Sequence, residues 1–304
     1  MMKIKRLASL VVLSGATLAA TPAHAALCAA VSIASSPATI NYNPITAAAA
    51  VTTTFTVTVG NKVSTNDATF RLIFTDSASA ATLNIGTAGP QYSILNSGGQ
   101  VVSFPSGSTA LGQPGVTAVS FTGVPLTLTY TISLPVNSGT DFTSTATPFT
   151  ENLSYSLMCY KGNGQSQGAD AGSITSINSL ITNVLSVITA SPQTLNFGNF
   201  TTTSQNLNVN IKSTNTINVA VSTAKGSVMA LNGAVAPYAA NNSIPYTMTF
   251  NGAALASTAT NNVVRASVAG ANYPFALNLT GGLPTGKLAG TYSDVITLTI
   301  TPGA

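Results

Sequence analysis

Hydrophobic residues alternate with threonine or serine in many short stretches of this chain, and this period of two constrains its fold more than any other feature. Residues 126–134 read Leu-Thr-Leu-Thr-Tyr-Thr-Ile-Ser-Leu, and residues 296–301 read Ile-Thr-Leu-Thr-Ile-Thr. Because successive side chains of a strand point to opposite faces, each stretch buries one face and exposes the other. Further examples are Phe55–Val59, Leu153–Cys159, Leu207–Ile211, Ile244–Phe250 and Tyr273–Leu279. Turns rich in Gly, Pro and Asn separate them, which predicts an all-β fold of antiparallel sandwiches.

The first 25 residues have the pattern of a secretory signal peptide. Three basic residues, Lys3, Lys5 and Arg6, precede a mostly apolar run over 7–20, and Ala23-His24-Ala25 has the form of a cleavage site. The apolar run is shorter than the roughly 20 residues that a membrane-spanning helix needs. We therefore expect cleavage after Ala25 and export to the periplasm and then to the cell surface.

The length of the remaining chain predicts two domains. Its 279 residues exceed the size at which one hydrophobic core usually stops growing. A polar stretch rich in Gly and Gln near 160–173 is typical of a linker, so we place the domains at 26–172 and 173–304. The residues just after it leave helix and strand open, because Ile174, Ile177 and Ile181 have helical spacing while Thr, Ser and Asn favour strand or loop. We expect 184–190 to form the first strand of the second domain.

Charge is sparse and scattered. Charged residues make up 5% of the chain, far below the usual quarter. Beyond residue 25 there are seven basic and six acidic side chains, and the basic ones are spread singly along the chain. Nucleic-acid binding requires a clustered basic face, so we expect no nucleic-acid partner.

Several classes of chemistry are excluded by residue type. His24 is the single histidine and lies in the predicted signal peptide, which excludes Ser-His, Cys-His and histidine-metal sites from the mature chain. The acidic pairs Asp67 with Asp76 and Asp141 with Glu151 are more typical of solvated turn or cap residues than of a catalytic pair. We therefore predict that the protein is not an enzyme and uses no cofactor and no metal.

The two cysteines, Cys28 and Cys159, have two possible states. An exported chain permits a disulfide between them, which would close most of the first domain into one loop. The alternative is two buried free thiols.

Three segments of the second half carry a resemblance to a known family. They are Ser191–Phe200 with its Leu-x-Phe-Gly, the Tyr-centred Ile244–Gly252, and the closing Gly-Thr-Tyr-Ser-Asp of 290–294 followed by alternating aliphatic residues. Their order resembles the spore coat protein U-like domain, whose members are pilins of archaic chaperone-usher pili. The resemblance covers roughly 184–304 and is weak in the first half.

The resemblance implies immunoglobulin-like sandwiches, of which the C-terminal one lacks its last strand. A hydrophobic groove then stays open until a periplasmic chaperone, and later an adjacent pilin subunit delivered through an outer-membrane usher, fills it. Ile296, Leu298 and Ile300 would line this groove and contact the chaperone. Asp294 is expected to order the turn at Gly290, with a direct chaperone contact as the alternative.

The predicted mature N-terminus indicates a position in the fibre. Only Ala26 and Leu27 would precede Cys28, and the stretch that follows reads as the first strand of domain one. A subunit that accepts a donor strand but offers none terminates a fibre. We therefore expect a tip or adhesive subunit that mediates attachment and biofilm formation, with domain one facing outward.

Apolar residues framed by Gly and Pro are the candidates for contact with an abiotic or host surface, if they lie on exposed loops. They are Pro90, Tyr92, Ile94, Val116, Val119, Phe121, Val124 and Phe149, next to Pro148. The alternative is that they are buried strand ends.

Two other functions stay open at this point. The chain could be a secreted coat or matrix protein that self-associates without an usher, or a carbohydrate-binding sandwich. The absence of Trp weakens the second possibility.

Overall fold

The computed structural model describes residues 28–45, 49–76, 83–105, 115–136, 140–256 and 259–303, and the predicted signal peptide lies outside them. Every regular element in the described residues is a β-strand, which confirms the predicted all-β class. None of these residues forms a helix that could cross a membrane. Two parallel pairs, Ile40–Tyr42 with Ser166–Ile181 and Asp67–Asp76 with Ser103–Phe104, occur among otherwise antiparallel ones.

The N-terminal half, residues 28–181, holds two facing sheets. Strands β1, β3, β8 and β5 form one sheet in that order, and the other has the order β2, β10, β9, β4, β6, with β7 also paired to β4. The strands are β1 Ala29–Ser35, β2 Ile40–Tyr42, β3 Val51–Lys62, β4 Asp67–Asp76, β5 Ser93–Leu95, β6 Ser103–Phe104, β7 Val119–Ser120, β8 Leu126–Leu134, β9 Phe149–Lys161 and β10 Ser166–Ile181.

The alternating residues of both sheets meet in one core. Phe55 of β3, Phe74 of β4 and Tyr130 of β8 are buried and lie with ring centroids 4.8–5.6 Å apart. Aromatic pairs at such distances add roughly 0.5–1.5 kcal/mol each beyond the burial of their area. Phe55 and Tyr130, which the period of two predicted to face inward, thus pack against Phe74 of the opposite sheet.

The C-terminal half, residues 185–303, has one large and one small sheet. The large sheet has the order β11, β12, β18, β15, β14, β19, with β16 also paired to β15, and the small sheet has the order β17, β13, β20. The strands are β11 Leu185–Val187, β12 Ser204–Ser213, β13 Ile217–Thr223, β14 Val228–Leu231, β15 Ser243–Phe250, β16 Ala253–Leu255, β17 Thr260–Val263, β18 Ala271–Leu279, β19 Tyr292–Ser293 and β20 Ile296–Pro302.

A second cluster of buried side chains lies between these two sheets. It contains Phe250, Tyr273 and Val219 and shares no residue with the core of the N-terminal half. Two separate cores are what the predicted division into two domains requires, although the division into independent folding units stays a prediction.

The predicted linker and boundary are wrong in position. Residues 160–173 belong to the hairpin of β9 and β10, which are paired from Ser166 with Tyr160 to Ser179 with Phe149. Gly172 has a structural role there, because a Cβ on it would lie 3.1 Å from the ring of Tyr155. Of the glycines in this stretch, Gly172 thus packs closely in the sheet, while Gly162 and Gly164 lie in the turn between the two strands. The chain passes between the halves at 182–184, and the expected first strand near 184–190 is present as β11.

The ambiguous stretch after residue 173 is strand and not helix. Ile177 and Ile181 are buried in the N-terminal core as part of β10. Pairing with β9 along its whole length overrides the helical spacing of the isoleucines.

Candidate functional site: an apolar groove beside the last strand

The last strand, β20, is an open edge of the small sheet. It pairs with β13 from Ile296 opposite Thr223 to Pro302 opposite Ile217. Within the described residues no strand pairs with its other side. An edge of this kind presents a row of unpaired backbone N–H and C=O groups that can accept another strand.

A cavity of about 770 Å³ lies beside this edge, and we call it the groove. Ile296, Thr297, Leu298 and Ile300 of β20 line it on one side, and Val187 with residues 189–197 line it on another. Core side chains of the large sheet complete the lining, namely Leu207, Val209, Tyr246, Phe275 and Leu277. The groove therefore opens onto the apolar interior of the C-terminal sandwich.

All three residues that the sequence predicted to line a groove do line this cavity. Ile296, Leu298 and Ile300 line the cavity and are half-buried, while Thr297 and Thr299 between them are exposed. All three also pack against the buried cluster of the C-terminal half. Their predicted contact with a chaperone or a donor strand stays a prediction.

The Leu-x-Phe-Gly segment supplies lining residues that sequence analysis did not assign to the site. Leu195 and Phe197 line the groove, and Phe197 is only 6% exposed. Phe197 stacks on Phe200 at 6.3 Å, and Phe200 meets the ring of Tyr292 at 6.1 Å. The two-residue spacing of Leu195 and Phe197 was the signal that could have placed them, since an extended segment points both to one side.

One carboxylate lies among these apolar residues. Asp294 lines the groove, and its Oδ2 accepts a hydrogen bond of 2.6 Å from the hydroxyl of Tyr246. Its Oδ1 accepts one of 2.7 Å from the backbone N–H of Val295. Asp294 therefore does not order the turn at Gly290, as the sequence had suggested. Burial, and secondly the hydrogen bond to Asp294, raise the pKa of Tyr246 well above its usual value, so this hydroxyl stays a donor.

The predicted disulfide is present. Cys28 and Cys159 are bonded with their Cα atoms 5.6 Å apart, which rules out the alternative of two free thiols. The carboxylate of Asp170 also accepts the N–H groups of Cys28 and Ala29, at 2.7 and 3.2 Å. The start of β1 is thereby attached to the hairpin of β9 and β10.

The candidate surface residues are mostly not on exposed loops. Tyr92 and Ile94 are 5% and 0% exposed, and Val116 is 4% exposed. Pro90 is also buried, while Val119, Phe121 and Phe149 are half-buried against the core. For the four buried residues the prediction of an exposed contact surface is wrong. Ile94 pairs with Ile132 of β8 and belongs to the buried core of the N-terminal half.

Val124 is the exception, and it has an exposed neighbour in space. Val124 is 61% exposed and Val63 is 59% exposed. The register of Val59 opposite Leu126 puts the turns that contain them at the same end of β3 and β8. Val63 escaped sequence analysis because a single valine in a turn carries no periodic signal.

Three of the four acidic residues expected in solvated turns are buried, and only Asp141 is exposed. Asp67, Asp76 and Glu151 are at most 3% exposed, and Glu151 accepts a hydrogen bond from the N–H of Gly86 at 3.1 Å. Asp141 is half-exposed and paired with Arg265. In the part of the chain that the structure describes, no three His, Cys, Asp or Glu side chains come together as a metal site would require.

Comparison with known proteins finds similarity only among solved structures. No family model matches the chain, and no curated protein matches it. The chain is similar to the CsuC–CsuE chaperone–tip adhesion subunit complex of the archaic chaperone-usher Csu pili of Acinetobacter baumannii, at 15% identity and a TM-score of 0.42, covering 89% of this chain and 99% of that one. It is also similar to the CupB6 tip adhesin of Pseudomonas aeruginosa, at 12% identity and a TM-score of 0.39, covering 90% and 97%. These values lie below those that identify a family.

Proposed function

We propose that this protein is an adhesive subunit of a chaperone-usher surface fibre, and that a β-strand from another polypeptide completes its C-terminal half. The single observation that carries the proposal is the open edge of β20 beside an apolar groove. An inserted strand would satisfy the unpaired backbone groups of that edge and cover the half-buried Ile296, Leu298 and Ile300 at once. In the periplasm the inserted strand belongs to a chaperone, and after passage through an usher it belongs to the adjacent subunit.

We place the subunit at the tip of the fibre. Cys28 is held by the disulfide and β1 begins at Ala29 within the N-terminal sheet, so the chain from Cys28 onward is committed to its own fold. These residues are therefore not free to serve as a donor strand for another subunit. A mature protein that polymerised head-to-tail by itself would contradict the tip position.

The N-terminal half then faces outward and makes the adhesive contact. β10 runs from the turn after Lys161 to Ile181, next to the chain that enters the C-terminal half. The turns with Val63 and Val124 lie at the opposite end, because β4 begins opposite Lys161. These two exposed valines are the apolar side chains that would meet an abiotic or host surface. The proposed role is attachment and biofilm formation, and it is non-catalytic.

A strand-addition experiment tests the role of the groove. A synthetic peptide that alternates valine and threonine over twelve residues is added to the purified mature protein, and its melting temperature is recorded. Saturation at 100 times the dissociation constant corresponds to about 2.7 kcal/mol of added stability. We expect Leu298→Asp to abolish the shift, since a charge would then face the apolar groove.

Thr299→Asp is the matched control, because Thr299 is exposed on the other face of the same strand. It should leave the peptide-induced shift intact. No shift with the unchanged protein, or equal shifts for both variants, would contradict the proposed function. Co-expression with a periplasmic chaperone and an outer-membrane usher should place the protein in surface fibres, whereas a secreted matrix protein would self-associate without them.

A further inference from the structure

In the last segment that lines the groove, a negatively charged side chain comes before the apolar ones. Asp294 is two residues before Ile296, and Asp294, Ile296, Leu298 and Ile300 all line the cavity. At about 3.3 Å per residue, this face extends over roughly 20 Å. It presents one carboxylate and then three aliphatic side chains at regular spacing.

Two hydrogen bonds within the protein fix the orientation of the Asp294 carboxylate. The hydroxyl of Tyr246, whose side chain is 3% exposed, donates to Oδ2, and the N–H of Val295 donates to Oδ1. A carboxylate has about four acceptor positions, so two donors leave part of its capacity unused. The remaining acceptor positions are available to a molecule that enters the groove.

Within the described residues Asp294 forms no ion pair with a lysine or arginine, whereas Asp141 is paired with Arg265. Lys225 lies close in sequence to β14, but its Nζ donates to the carbonyl and hydroxyl oxygens of Ser293, at 2.8 and 3.3 Å. An apolar strand inserted along the groove would therefore remove water from Asp294 without replacing it.

We propose that Asp294 selects the inserted strand by charge: the strand carries a lysine or arginine opposite Asp294 and apolar residues at two-residue spacing beside Ile296, Leu298 and Ile300. This inference rests on the proposed function of the groove and adds a specificity residue to it. Covering a carboxylate is unfavourable unless it is paired, and a charged hydrogen bond supplies that partner. Because the lysine or arginine of the inserted strand can pair with Asp294 in one position only, this ion pair also fixes the register of the inserted strand.

Three peptides test the inference on the mature protein. All alternate valine and threonine over twelve residues with blocked ends; one has lysine near the amino end, one has lysine near the carboxyl end, and one has glutamine at both positions. Both lysine positions are included because the strand direction decides which end meets Asp294. We expect one lysine peptide to bind about tenfold more tightly than the glutamine peptide, the size typical of a charge-assisted hydrogen bond, and 0.5 M salt to reduce this preference.

Two variants distinguish a failure of this inference from a failure of the proposed function on which it rests. Asp294→Asn should remove the preference for lysine while the glutamine peptide still binds. Asp141→Asn, which removes a carboxylate outside the groove, should keep the preference. Equal affinities of all three peptides for the unchanged protein, or an unchanged preference in Asp294→Asn, would overturn the inference and leave the proposed function standing. Binding of none of the peptides would overturn both.

Discussion

Arg265 in the C-terminal half donates from Nη1 to Oδ1 of Asp141 in the N-terminal half at 2.6 Å, so an ion pair joins the two halves. The same Oδ1 accepts the N–H of Val268 at 2.8 Å, and Nη2 of Arg265 donates to the hydroxyl of Thr143 at 2.9 Å. Asp141 is thus the central acceptor of a polar contact between the halves.

This ion pair predicts a small dependence of stability on pH. The hydrogen bond from Arg265 holds the pKa of Asp141 below its usual value. A carboxyl group with a lowered pKa in the folded state stabilises the protein above its unfolded pKa, near 4, and this contribution is lost as the pH falls through the folded pKa. Asp141 is 51% exposed, so we expect less than about 1 kcal/mol.

Urea denaturation at pH 7 and at pH 3 measures this contribution. Arg265→Ala should lower the free energy of unfolding at pH 7 and reduce its loss on acidification. Lys161→Ala, at the last residue of β9, is the control that removes a positive charge elsewhere. If Arg265→Ala and Lys161→Ala had the same pH profile, the ion pair would have no energetic role.

The disulfide should be a major source of stability for the N-terminal half. It links residues 131 positions apart, and the loop-entropy model assigns about 4–5 kcal/mol at most to a loop of that length. We expect reduction with dithiothreitol to lower the urea midpoint clearly. The double variant Cys28→Ala with Cys159→Ala should start at the lower midpoint and not respond to dithiothreitol. A midpoint that does not change on reduction would contradict the prediction.

Gly303 should be intolerant of any side chain. A Cβ there would collide with the hydroxyl of Thr216, whose carbonyl accepts the N–H of Gly303 at 2.7 Å. The carbonyl of Gly303 in turn accepts Nδ2 of Asn183, in the segment between the halves, at 2.8 Å. Gly303→Ala should therefore cost roughly 1–3 kcal/mol, as overpacking does.

Hydrogen exchange should show that Gly303→Ala destabilises the end of β20 and the segment around Asn183. Gly162→Ala is the matched control, since a Cβ on Gly162 meets no atom within 4 Å. Equal stabilities of the two variants would show that the chain end relaxes without cost.

The hairpin of β9 and β10 should resist hydrogen exchange along its length. A linker at 160–173 would exchange within the dead time, whereas paired strand amides open only with the sheet. We expect those amides of 169–173 that point towards β9 to be protected like the corresponding amides of 176–179, with which they share the ladder to β9. Amides of the turn at 162–164 provide the fast-exchanging reference in the same experiment.

Much of the strand structure could be predicted because alternation is a local property. Leu126–Leu134 was expected as a strand from its period alone and is β8. Ile296, Leu298 and Ile300 were likewise assigned to one face, and that face lines the groove. Local composition gave the wrong prediction where tertiary packing determines the structure. Gly172 was assigned to a linker, but it lies in a strand against Tyr155. Ile94 was assigned to a loop, but it is buried in β5.

The amino-acid sequence by itself indicated many of the strands and their inward faces, because these follow from residue type and period along the chain. Only the tertiary structure decided that the two cysteines are bonded, which strand edge stays open and what surrounds that edge. Asp294 and Tyr246 are 48 residues apart and are hydrogen-bonded in the folded C-terminal half, and Leu195 and Ile296 line the same groove although they are far apart in sequence. Such contacts depend on how the sheets face each other, which no local pattern encodes.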